Sequence, residues 1–180
     1  MNKLSLRTRV LTGVAAATVA VGAFGALATA QAEPATEAPA AAANTNVMQS
    51  SHLTVAAATE AAQAAMNAAE KEDQRVSVAV VDRNGNTIVT LRGDGAGPQS
   101  PESAVRKAYT AVAWNAPTSE LVERLEQTPN LKDIPGTLFL GGGAPVTSKD
   151  APIAGVGVAG APSGDLDQKF AQAGAEALDD

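Results

Sequence analysis

The sequence predicts an α+β domain in which an antiparallel sheet is covered by helices. Two β-branched runs, residues 76–81 and 87–91, flank Asp82-Arg83-Asn84-Gly85-Asn86, and asparagine and glycine tolerate the positive φ of a tight hairpin. A second pair of apolar segments, 137–140 and 153–158, brackets a glycine turn at 141–145. Stretches with helical periodicity lie before, between and after these pairs, giving the order α-β-β-α-α-β-β-α. Hairpin pairs without βαβ alternation argue an antiparallel sheet in a single domain.

Each element has a local cause. Thr54 can cap a helix reaching about Asp73, with Val55, Ala58, Ala62, Met66 and Ala69 on one stripe. Alanine has the highest helix propensity, and an alanine stripe lets the helix approach its sheet closely. Ser100, followed by Pro101 and Glu102, reads as the cap of a helix to about Asn115. Pro117 ends that helix, and Thr118 or Ser119 caps another from Glu120 to Gln127. Ser163 caps the last, residues 165–178, with Asp165 and Asp167 near its positive end.

The N-terminus reads as a leader. Lys3, Arg7 and Arg9 precede an apolar run from Val10 to Ala28, and Ala28-Thr29-Ala30 and Ala30-Gln31-Ala32 supply small-residue cleavage patterns. This describes a signal peptide over residues 1–32, cut before Glu33, and a secreted protein. A retained anchor is the rival, less favoured because the run is rich in Ala and Gly. Thr8 between the two arginines leaves a twin-arginine pattern incomplete, so the export route stays open. Residues 33–51, rich in Ala, Pro and Asn, read as a flexible arm, and 52–180 as the domain.

Removing the three leader cations leaves ten Lys and Arg against nineteen Asp and Glu, a charge of about −9. Such a chain is a poor ligand for nucleic acid, which needs clustered cations. There is no cysteine, which excludes disulfides, zinc thiolate sites and thiolate ligation of heme.

The chemistry-bearing residues are few. RGDGAGPQS, residues 92–100, has its third glycine one place early for a dinucleotide fingerprint and follows a hairpin strand. His52 is the only histidine, a solvated linker residue or a ligand carried by the arm. Glu70/Asp73 and Glu120/Glu123/Glu126 repeat at helical spacing and can offer oxygens to a hard cation such as ferric iron, although a charged solvated face is the plainer reading. Arg92, Arg106, Lys107 and Lys149 can pair with carboxylates, their own Asp94 and Glu102 included.

Taken in order, several motifs resemble the GlcG/HbpS-like family. They are VVDRNG-x-I, R-x-DGA, Lys107-Ala108-Tyr109-Thr110-Ala111, Pro117-Thr118, Gly142-Gly143-Ala144-Pro145 and Gly155-Val156-Gly157-Val158-Ala159-Gly160. The resemblance spans about residues 53–178. It implies a secreted protein that binds heme and iron, assembles as a large homo-oligomer, octamers among them, and acts beside a membrane sensor histidine kinase. Heme degradation is attached to the same group, and an oligomeric iron-storage scaffold is a further reading of the carboxylate ladders. With aromatics scarce, heme is expected in a shallow or intersubunit site with an oxygen ligand. Thr110 and Thr147 are the candidates, with Lys107 and Lys149 for the propionates.

Overall fold

The computed structural model describes residues 40–179. The leader and the start of the arm lie outside the described residues. Thr45–Asp180 is one compact unit. Its elements are α1 (Val55–Glu70), β1 (Ser77–Asp82), β2 (Thr87–Arg92), α2 (Ser100–Trp114), α3 (Thr118–Gln127), β3 (Gly143–Ser148), β4 (Ala151–Ala159) and α4 (Gly164–Glu176), with a short 3-10 helix, Pro129–Asp133, after α3. The order is the expected one, and the four strands form an antiparallel sheet, β2-β1-β4-β3.

Alternation along β1 sends Val78 and Val80 to one face and Ala79 and Val81 to the other. The first face carries the main core, where Val156, Val158, Ala144 and Val146 meet Ala58, Ala62, Met66, Phe170 and Ala171 of α1 and α4. Val55 is exposed, and the buried stripe of α1 runs instead through Ala58, Ala61, Ala62, Ala65, Met66 and Ala69. The second face is paved with small residues, Ala79 opposite Gly157 and Val81 opposite Gly155. A Cβ on Gly157 or Gly155 would run into the carbonyls of Ala104 and Ala108, so α2 lies almost on the strand backbone.

The third strand departs from expectation. Residues 137–140 pair with no strand, and β3 begins at Gly143, inside the expected turn. The extended segment is held by α2 instead: Leu138 N donates to Thr110 Oγ1 at 2.7 Å, and Arg106 donates to the Thr137 carbonyl at 2.9 Å. The hairpin turn is Lys149-Asp150, both left-handed. Thr54 and Ser163 are the expected caps, accepting from Ala57 N and Leu166 N. Ser100 is not; it is the first residue of α2, and its hydroxyl donates to the Gly97 carbonyl. Thr118 likewise opens α3 from within and accepts from Gly143 N.

Candidate functional site

Several of the motifs converge on one buried point. Lys107 sits on the inward face of α2 among Ala104, Ala108 and Ala111, and is 1% exposed. Its Nζ donates to Asp167 Oδ2 at 2.7 Å and to the Val158 carbonyl at 3.0 Å, while Asp167 Oδ1 accepts from Ala161 N at 3.0 Å. Gly142 leaves the space, since a Cβ there would lie 2.7 Å from Lys107 Nζ. Burial pushes the Lys107 amine down and the Asp167 carboxyl up, each opposed by the partner's charge and hydrogen bond.

A second knot adjoins it. The Gln168 amide oxygen accepts from Ser119 N at 3.2 Å, Gly142 N at 3.0 Å and the Thr118 hydroxyl at 3.4 Å. Its Nε2 donates to the Gly143 carbonyl at 3.0 Å. One side chain thereby joins the start of α3 to the glycine turn.

These contacts decide what the expected site residues can do. Lys107 is buried, and its amine is bonded to Asp167 and the Val158 carbonyl. Thr110 is buried; its hydroxyl donates to the Arg106 carbonyl and accepts from Leu138 N, so it presents no free oxygen at the surface. Thr147 and Lys149 are exposed at the end of β3 and in the turn after it. His52 is exposed, with Ser50 Oγ 2.8 Å from its Nε2.

Three surface grooves stand out among the described residues. One, of about 710 Å³, lies between α3, the 3-10 helix and the end of α2, and is lined by Trp114, Glu120, Glu123, Arg124, Gln127, Thr128 and Leu131. The Arg124 guanidinium stands 5.7 Å over the Trp114 ring, and Phe139 meets that ring edge-on at 5.6 Å. A groove of about 270 Å³ joins Met66, Glu70, Asp73 and Arg75 to Gly93 and Asp94 of the 92–100 loop. The third, about 210 Å³, runs between Thr147 on β3 and Gln172 and Glu176 on α4. The two carboxylate pairs thus lie in separate grooves. Among the described residues no group of three or more His, Asp or Glu side chains is arranged to hold a metal ion. One chain offers iron two carboxylates at either place, and a full set of ligands would need further oxygens from a bound group, water or another copy.

A family profile described as "Haem degrading protein HbpS-like" matches residues 53–176. The chain belongs to the HbpS-like family. A crystal structure of a double mutant of Streptomyces reticuli HbpS is 71% identical, with a TM-score of 0.77 over 78% of this chain and 97% of that one. A crystal structure of a PduOC:heme complex is 28% identical, with a TM-score of 0.65 over 71% of this chain and 95% of that one. A Citrobacter freundii protein described as an uncharacterized 15.0 kDa protein in the dhaT-dhaS intergenic region is 34% identical over 113 residues, 60% of this chain and 80% of its own.

Within this HbpS-like domain, sequence reasoning passed over Gln168, Trp114 and the pairing role of Asp167. One signal was available: a lysine among the alanines of a buried helix face requires a buried acid. For Gln168 there was none, because all its partners lie outside its own helix.

Proposed function

We propose that this HbpS-like chain is an exported heme- and iron-binding accessory protein, which signals through a membrane sensor histidine kinase. The observation that carries this reading is 71% identity to HbpS over nearly all of that chain, together with a related fold solved with heme. The α3 groove is where this chain's own residues suit such a ligand. Trp114 and Leu131 offer apolar surface to a planar ring, Arg124 a guanidinium for a carboxylate, and Glu120 and Glu123 oxygens for iron. Thr147, Lys149 and His52 are the other exposed candidates. Bound heme would supply the iron chemistry; the protein supplies binding and orientation. Titration of the purified domain with hemin tests the reading, and no stoichiometric Soret shift would end it.

The family's description as heme-degrading favours a second reading, in which heme is substrate. Loss of the porphyrin spectrum with release of iron under reductant or peroxide distinguishes turnover from passive binding.

A further inference from the structure

We infer that residues 118–138 form a strap that opens as a unit against the rest of the domain, with Gln168 as its latch. This concerns the ligand-free fold and does not rest on heme binding.

The strap is thinly packed. Between residues 118 and 138 only Thr118, Leu121 and Thr137 are buried. Its apolar contacts belong to a satellite cluster, in which Ala116, Leu121 and Phe139 meet Trp114, Leu125 and Leu131, separate from the sheet's cores. Val122 and Ile134 are 36% and 41% exposed.

Its polar ties lie at the two ends. Gln168 holds Thr118 and Ser119 at one end, while Arg106 and Thr110 hold Thr137 and Leu138 at the other. Among the described residues, no side-chain hydrogen bond or ion pair joins residues 122–136 to the fold outside the strap; the Arg124 guanidinium over the Trp114 ring is the charged contact between them. Backbone pivots stand beside both ends: Asn115 at φ 49°, Gly136 at φ 81° and Gly142 at φ 126°. A segment with few buried apolar contacts and mostly internal hydrogen bonds opens at a lower free energy than the core. Opening uncovers Trp114, Leu121 and Phe139, and so changes the depth of the α3 groove.

Gln168 is the latch because its one side chain bonds Ser119, Gly142 and Gly143 at once, beside the single direct bond from Gly143 N to Thr118 Oγ1 at 2.7 Å. Without it, Ser119 N on the α3 side and Gly142 N on the turn side lose their acceptor, and the Gly143 carbonyl loses its donor.

Hydrogen exchange read by mass spectrometry on the ligand-free domain tests the inference. Amides of residues 119–138 are expected to exchange as one group, on the order of a hundredfold faster than those of β1 and β4. Gln168→Ala is expected to raise that group's exchange roughly tenfold and leave the sheet unchanged. Gln168→Glu keeps an acceptor for Ser119 N and Gly142 N but loses the donor to the Gly143 carbonyl, and should fall between wild type and Gln168→Ala. Acrylamide quenching of Trp114, the only tryptophan, should rise in step with exchange. Equal protection of α3 and the sheet would overturn the inference, as would a Gln168→Ala effect spread evenly over both. Should Gln168→Ala not fold, the exchange pattern of the unmutated protein decides.

Discussion

Lys107 on α2 and Asp167 on α4, sixty positions apart, meet at 2.7 Å beneath Gly142, and both are almost wholly buried. Lys107→Met or Asp167→Leu alone leaves an uncompensated buried charge and is expected to cost about 3–5 kcal/mol. The double variant should recover most of that loss, because two apolar side chains replace two desolvated charges. Chemical denaturation of the four proteins measures the coupling; equal additive losses would argue against a paired role.

Gly157 should tolerate no side chain. A methyl group there meets the Ala104 carbonyl and Ala108 of α2, so Gly157→Ala must lift the helix off the sheet. A loss of about 1–3 kcal/mol or more is expected from such overpacking. Gly97, whose nearest neighbour is the end of the flexible Gln99 side chain, is the control, and thermal melts of the two alanine variants should differ clearly.

Two aspartates should respond to acid with opposite signs. At Asp82 burial is the largest single influence and raises the carboxyl, but hydrogen bonds from the Asn86 side chain and the Asn86 and Asn84 backbones, with nearby His52, together hold it below its ordinary 3.8. Asp82 therefore contributes stability above 3.8 that is lost as pH falls through the lower folded value. Asp167 is raised by burial, so between its folded value and 3.8 the native state binds a proton that the unfolded chain does not. Falling pH in that window adds stability. Carboxyl-carbon NMR titration should place the Asp82 midpoint below that of Asp167, and Asp82→Asn should flatten the acid limb of the stability curve.

In hemin titrations Trp114→Ala is expected to weaken binding roughly tenfold if the ring stacks in the α3 groove, a loss of about 1.4 kcal/mol. Thr147→Ala is the comparison at the β3 edge. A loss confined to Thr147→Ala would move the site there. Glu120→Gln with Glu123→Gln should lower iron uptake without changing the fold.

Export should leave a mature protein that begins at Glu33. The intact mass of the protein recovered from the medium checks the cleavage, and a mass that includes residues 1–32 would point to a retained leader.

Much of the architecture was legible because its causes are local. The element order, the hairpin at Asn84-Gly85 and the caps Thr54 and Ser163 follow from periodicity and turn chemistry within a few residues. The motif series likewise pointed to the HbpS-like family. What the sequence by itself could not decide was where β3 begins and which polar side chains remain free. Gly143 is in a strand through its pairing with Gly157, and α2 and Thr118 leave no room there for a side chain, so the residue that fits hides the β-propensity that would have marked it. Lys107 and Thr110 looked like ligands by residue type. Tertiary contacts consumed both, since each satisfies a buried partner more than twenty residues away in the chain. Trp114, Glu120 and Arg124 became one groove only when α3 folded back on the end of α2. Periodicity reports the face a residue occupies; only long-range packing decides what that face meets.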